Sequence, residues 1–255
     1  MSLKKWAFLQ GINVVVFVVI VAVNGLAGST TLLNGRTSGD VSDLYPTLVT
    51  PAGYTFSIWG LIYTLLLVFI VYQVLPRNRE QSFLRQVSFL FALSGMLNVL
   101  WLFLWHYELI TFSVMLMFAL LATLIAIYLR LNIGRAVVSL GERVCVHVPF
   151  SVYLGWITVA AIANVAAALT FVGWDGGGID GVTWALLVIV VALLITLAVI
   201  ATRKDAAYSL VIAWALAGIM TKQIENQTIV LTAEVSISIV LIAIVVMVLV
   251  SRLRR

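Results

Sequence analysis

Eight long apolar stretches follow one another along this chain, with only short linkers between them. They run at roughly 8–29, 52–75, 84–105, 109–130, 145–171, 182–201, 207–221 and 230–251. A helix needs about 20 mainly apolar residues to cross the hydrocarbon core of a bilayer. The seventh stretch is shorter than that, rich in small residues, and the least secure of the eight. The pattern predicts an all-α integral membrane protein, a bundle of about eight transmembrane helices.

The composition excludes a water-soluble globule. Of 255 residues, 63% are hydrophobic and only 10% are charged, whereas a soluble domain carries about 25% charged residues. Lipid is therefore the solvent for most of the chain, and we expect the lipid bilayer to be a binding partner. The net charge of +5 falls between the apolar stretches. We interpret it as control of membrane topology and not as a nucleic-acid-binding surface.

The basic residues indicate which way the helices run. If the N-terminus is inside, the outer side holds only Arg36 and Lys222. The inner side then holds Lys4, Lys5, Arg77, Arg79, Arg85, Arg130, Arg135, Arg143, Arg203, Lys204, Arg252, Arg254 and Arg255. This positive-inside bias predicts a multi-pass protein of the cell (plasma) membrane with both termini in the cytoplasm. Alternatively, the first stretch is a signal peptide ending near Ala27, which leaves seven spans in the same orientation.

Polar residues inside a bilayer are costly and therefore informative. Asn98 and Asn164 lie well inside their apolar stretches. Such amides commonly hydrogen-bond neighbouring helices, and they can also orient a bound ligand, so both roles stay open. His147 has no second His or paired Cys at metal-ligand spacing. The chain offers no metal site, no nucleophile set and no phosphate-binding loop, so we expect neither an enzyme nor a required cofactor.

Several aromatic residues lie deeper in the apolar stretches than a membrane-interface belt would place them. They include Trp59, Trp101, Trp105 and Trp156. Trp101 and Trp105 are four residues apart and share a helix face with Asn98. An indole offers a broad flat surface and one hydrogen-bond donor, which suits an interior cavity for a flat apolar ligand. Ordinary packing explains any one of these residues taken alone.

Three segments combine these residues at fixed spacings in successive stretches. They are PAGYTFSIWGLIY at 51–63, LNVLW at 97–101 and YLGWITVAAIAN at 153–164. They resemble the second-, third- and fifth-helix signatures of the tryptophan-rich sensory protein or translocator protein (TspO) family, and the resemblance covers roughly residues 8–171. The chain departs from the family at Val152, where the family has Pro, and in the first loop, which lacks a Trp. Known members end after five helices, whereas this chain continues for about three more.

The resemblance implies a TspO-like five-helix bundle at 1–171, followed by three additional helices at 172–255 in the same membrane domain. It also implies a pocket for porphyrins, sterols or similar molecules, and a homodimer, since the family is often dimeric. The candidate ligand-binding residues are Tyr54, Trp59, Tyr63, Asn98, Trp101, Trp105, Tyr153, Trp156 and Asn164. Tyr54 and the first loop are expected to close the outer mouth of the pocket.

The leading hypothesis is a membrane sensor or carrier for a flat hydrophobic ligand such as a tetrapyrrole or a sterol. A secondary transporter of a small solute is the alternative, since eight spans suffice for one. Porphyrin breakdown, which some family members are thought to promote, is the enzymatic alternative.

Overall fold

The computed structural model describes residues 3–253, with side chains from residue 8 onward. Its eight long helices are α1 Leu3–Ser29, α2 Ile58–Val74, α3 Leu90–His106, α4 Ile110–Arg130, α5 Val148–Phe171, α6 Gly181–Arg203, α7 Ala206–Lys222 and α8 Gln227–Leu253. They match the eight apolar stretches one to one, which confirms the predicted all-α membrane fold. Of the predicted inner cations, the side chains of Lys4 and Lys5 and residues Arg254 and Arg255 lie outside the described residues.

The helices differ in length. Six of them, counted with the turns that extend α2 and α5, are long and apolar enough to cross a membrane. The other two, α3 and α7, have 17 residues each. A 17-residue helix is about 25 Å long, near the lower limit for a span.

The first five helices close into a ring. Helix α1 packs against α3 and α2, α3 packs against α4, and α4 packs against α5, which returns to α2. Most of the largest fully buried side chains, among them Trp156, Tyr153 and Phe69, come from α2, α3, α4 and α5. Helix α7 packs on α5, and α6 and α8 pack with α7. The last three helices therefore join the ring chiefly through α7.

The contact between α5 and α7 depends on a glycine and a buried carboxylate. A Cβ atom at Gly155 would lie 3.0 Å from Cβ of Val211 and 3.1 Å from the carbonyl oxygen of Tyr208. Small residues allow helix backbones to approach this closely in membranes. Asp205 caps α7 by accepting from the N–H of Tyr208 at 3.1 Å, and it accepts the Ser151 hydroxyl of α5 at 2.6 Å. This carboxylate thus fixes the start of α7 against α5.

In three of the predicted spans, the long helix does not begin where the apolar stretch begins. A 3₁₀ turn at Gly53–Ser57 precedes α2, and we name it the rim turn. Ser88, at φ 48°, breaks the third span into a short helix at Ser82–Val87 and α3. A π-helical turn at Arg143–His147 leads into α5. Each break is a local backbone adjustment within an otherwise apolar segment, so periodicity does not signal it.

The linkers alternate between the two ends of the bundle. At one end, named the basic end, Arg203 donates to Asn132 at 2.9 Å and so joins the α6–α7 and α4–α5 linkers. At the other, named the acidic end, Lys222 lies 3.3 Å from the Asp43 carboxylate, which joins the end of α7 to the α1–α2 linker. Successive linkers therefore lie at opposite ends of the bundle, as the distribution of Lys and Arg along the sequence predicts.

Candidate ligand-binding site

A cavity of about 400 Å³ lies inside the ring, toward the acidic end. Its walls come from α1, α2, α3, α5 and the α1–α2 linker. Six of the nine predicted residues line it: Trp59, Tyr63, Trp101, Trp105, Trp156 and Asn164. The volume falls within the range of ordinary small-molecule sites, about 300–1,000 Å³. We name it the aromatic cavity.

Two stacked aromatic pairs form its flat surfaces. The rings of Trp101 and Trp105 on α3 lie 6.0 Å apart at 23°. The rings of Trp59 and Tyr63 on α2 lie 5.5 Å apart at 17°. Each pair is spaced by four residues, which brings both rings to one helix face. Trp156 of α5 meets Trp59 edge-on, at 6.2 Å and 84°, so three helices supply the aromatic lining.

Asn164 holds one of these rings in place. Its Oδ1 accepts the indole N–H of Trp101 at 3.0 Å, and its Nδ2 donates to Oγ of Ser113 at 2.9 Å. Because Ser113 belongs to α4, this amide links α3, α4 and α5 in the cavity wall. Of the two roles that the sequence left open, this side chain ties neighbouring helices together. It also lines the cavity, and its orienting of a bound ligand stays a prediction.

Two hydrogen-bond donors on the wall have no partner. The indole Nε1 of Trp156 and the hydroxyl of Tyr63 are buried, and neither bonds to any described residue. Buried polar groups nearly always have a partner, so two unpartnered donors on residues of one cavity wall are unusual. No charged side chain lines the cavity among the described residues. Within residues 3–253 no group of three metal-binding side chains occurs either.

The α1–α2 linker covers the acidic-end mouth with a short helix at Ser38–Asp43, named the mouth helix. Its start is a capping box, in which Thr37 Oγ1 accepts the N–H of Asp40 and Asp40 accepts the N–H of Thr37 at 2.8 Å. The hydrogen bond from the Thr37 backbone N–H lowers the pKa of Asp40 most, and the Thr37 hydroxyl lowers it further. Trp105 donates its indole N–H to the Ser38 carbonyl at 3.4 Å, so the mouth helix contacts the aromatic wall directly.

An ion pair and a phenol fasten the same linker to the end of α3. Arg36 pairs with the carboxylate of Glu108. Tyr45 donates its hydroxyl to the other oxygen of Glu108 at 3.2 Å. Burial raises the pKa of Tyr45, and the Glu108 carboxylate raises it further. The linker is therefore held across the mouth by side chains far apart in sequence.

Helix α7 braces the rim of the cavity from outside the ring. Trp214 donates its indole N–H to the Thr55 carbonyl at 3.1 Å. The Gly218 carbonyl accepts the N–H of Ala52 at 3.0 Å. A Cβ atom at Gly218 would lie only 2.1 Å from Thr55 Oγ1. Since the rim turn lines the cavity through Gly53 and its neighbours, the last three helices take part in shaping the site.

Three predicted residues lie outside the lining. Tyr54 is 47% exposed and packs on Trp214 of α7 instead of closing the mouth. Asn98 is fully buried but turns toward α1, where its Oδ1 accepts from Asn24 at 2.8 Å. Tyr153 is buried behind Trp59, with ring centroids 6.2 Å apart. In each case the side chain contacts a neighbouring helix, α7, α1 or α2 respectively, and does not reach the cavity.

Sequence reasoning also missed a polar part of the lining. It consists of Asn24, Thr37, Ser38, Ser42, Thr50 and Ser57. Asn24 is an amide within an apolar stretch, so the criterion that selected Asn98 and Asn164 would have found it. Short hydroxyl residues in a linker carry no comparable signal.

Comparison with known proteins gives one match. A family model described as TSPO-like protein matches residues 10–248. No curated protein and no solved structure matches the chain. The family match continues beyond residue 171, where the motif resemblance ends, and runs into α8. The match therefore includes the last three helices, which the sequence motifs do not cover. This multi-pass membrane protein belongs to the TSPO-like protein family.

Proposed function

We propose that this protein is a membrane sensor or carrier that binds a flat hydrophobic ligand, tetrapyrrole- or sterol-like, in the aromatic cavity. One observation carries the proposal: two stacked aromatic pairs, on α2 and α3, line a single space of about 400 Å³. Two of the lining residues, Tyr63 and Trp156, also carry buried donors that have no partner among the described residues. Membership in a family of membrane-embedded proteins supports the general class.

The lining favours a particular mode of binding. The ring system stacks on the α2 and α3 pairs, and its polar atoms accept from Trp156 Nε1 and the Tyr63 hydroxyl. Burying a charge without a partner is costly, and the described lining has none to offer. A neutral ligand therefore binds more tightly than its ionised carboxylate counterpart. Protoporphyrin dimethyl ester and free protoporphyrin provide that comparison on one ring.

Fluorescence titration tests the proposal. We expect protoporphyrin to quench tryptophan fluorescence saturably, and the double variant Trp101→Phe, Trp156→Phe to lose saturation. Absorbance of porphyrin retained after desalting measures binding without relying on the removed fluorophores. The matched control is Trp174→Phe, since Trp174 lies in the α5–α6 linker outside the cavity lining. Linear quenching by the native protein, or unchanged retention in the double variant, would contradict the proposal.

We also propose that the basic end faces the cytoplasm, with both termini on that side. The support is the division of Lys and Arg, thirteen against two. In a Cys145→Ala background, Val137→Cys reports on the basic end and Leu32→Cys on the acidic end, because both positions are well exposed. In intact cells an impermeant thiol reagent should label only position 32. Labelling of position 137 instead would reverse the assignment.

A further inference from the structure

A second cavity, of about 700 Å³, opens at the basic end of the bundle. Its walls are the α4–α5 linker, the π-helical turn and first residues of α5, the α6–α7 turn and the last turns of α8. It shares no lining residue with the aromatic cavity. We name it the basic-end cavity.

Positive charge dominates its lining. Arg143, Lys204 and Arg252 all line it, and within residues 3–253 none of them pairs with a carboxylate. Asp205 is the one acid among the described lining residues. Its two oxygens already accept from the Ser151 hydroxyl at 2.6 Å and from the backbone at the start of α7 at 3.1 Å. One negative charge cannot balance three positive ones, so the described lining keeps an excess of positive charge.

A buried histidine adds a second and independent observation. His147 is only 5% exposed, lines the cavity, and its Nε2 has no hydrogen-bond partner among the described residues. It sits at the end of the π-helical turn, a local widening of the helix that often occurs at functional sites. An imidazole N–H can donate to an anionic oxygen, which is the ligand atom that the neighbouring cations also favour.

Apart from Ser151 and Ser251, the rest of the described lining is apolar. Ile133, Val148, Met247 and Val248 contribute to it. The cations stand at helix ends, with Arg252 in the last turn of α8. Basic pockets between helix ends at this level of a bilayer suit lipid headgroups. An apolar wall beside the cations can contact acyl chains, whereas a free anion would make no favourable contact with it.

We propose that the basic-end cavity binds the phosphate headgroup of an anionic phospholipid. Arg143, Lys204 and Arg252 surround the phosphate, and His147 donates to it through Nε2. The acyl chains follow Met247 and Val248 to the lipid-facing side of α8. This site is separate from the aromatic cavity, so it stands whether or not a tetrapyrrole or sterol binds there.

Native mass spectrometry of the detergent-purified full chain tests the site. Phosphatidylglycerol and phosphatidylcholine with identical acyl chains are titrated separately. We expect one phosphatidylglycerol to be retained in preference to phosphatidylcholine. Arg143→Gln and Lys204→Gln should each weaken its retention about fivefold, the usual effect of one basic residue near anionic lipid. Lys204→Arg, which keeps the charge, should restore retention and show that the lost affinity is not a loss of folding.

The matched control is Arg79→Gln, which removes an exposed cation at the same end but outside the cavity. It should leave lipid retention unchanged. Equal retention of the two lipids would overturn the proposal, and so would an effect of Arg79→Gln as large as that of Lys204→Gln. Displacement of phosphatidylglycerol by excess inorganic phosphate would overturn the lipid assignment, because the site would then recognise the anion alone.

Discussion

Replacing Gly218 with Ala tests whether α7 holds the rim of the aromatic cavity. The new Cβ would lie 2.1 Å from Thr55 Oγ1 and 2.9 Å from Pro51 Cβ. Both distances are well inside van der Waals contact, so atoms must shift. Thr55 is fully buried, and its short side chain has no open space to turn into. The rim turn must therefore move away from α7.

The size of the effect follows from the strain of overpacking, which costs about 1–3 kcal/mol. The better helix propensity of Ala over Gly acts on α7 whether or not the rim moves, so it does not offset this strain. The strain shifts the equilibrium between the native and the displaced rim toward the displaced one. Because apparent affinity falls with the fraction of binding-competent protein, the Kd for protoporphyrin should rise, by up to about fivefold for each 1 kcal/mol of strain.

Two assays measure this outcome. Fluorescence titration gives the Kd, and amide hydrogen exchange of residues 52–57 reports on the rim turn without any ligand. The control is Gly60→Ala, since Gly60 is helical, exposed and has no atom within 4 Å of the added Cβ. The bracing role is refuted if Gly218→Ala binds and exchanges like the native protein. It is equally refuted if Gly60→Ala has the same effect.

Three other perturbations have defined outcomes. Asn164→Leu leaves the buried indole N–H of Trp101 unpaired, and thermal unfolding should reveal a loss of about 1–3 kcal/mol. Because the pKa of Asp40 is lowered in the folded protein, its capping contribution is complete above about pH 4 and is lost as the pH falls through the lower folded value. Amide protection of the mouth helix should fall in that acidic range, and Asp40→Asn should abolish this pH dependence. Gly155→Val forces α5 and α7 apart and should lower the free energy of unfolding by about 1–3 kcal/mol, whereas an unchanged unfolding temperature would deny that contact any role in stability.

The helix count was predictable because lipid imposes it. A backbone in hydrocarbon must satisfy its own hydrogen bonds, so each crossing needs a long apolar helix that composition alone reveals. The break at Ser88 was not predictable, since nothing local favours a left-handed serine. It arises from packing: the short helix before it buries Phe83 and Val87, and the chain must turn sharply to start α3.

The aromatic cavity, too, was predictable from the sequence only in part. The pairs at Trp101–Trp105 and Trp59–Tyr63 were predictable because a spacing of four residues places both rings on one face. Which neighbour that face meets depends on the order of helices in the ring, and spacing does not encode it. This is why Asn98 points to α1 while Asn164 reaches the cavity. The brace from Gly218 joins segments about 160 residues apart, beyond the reach of any local pattern.

The short length of α3 and α7 has a consequence for the surrounding bilayer. At 17 residues each, they span about 5 Å less than a hydrocarbon core of about 30 Å. Hydrophobic mismatch of this size is relieved by local thinning of the membrane, which draws headgroups toward the helix ends. Helix α7 begins at the basic-end cavity and ends beside the rim turn. Thinning of the bilayer at α7 would therefore bring both membrane surfaces closer to the two cavities and shorten the path into each of them.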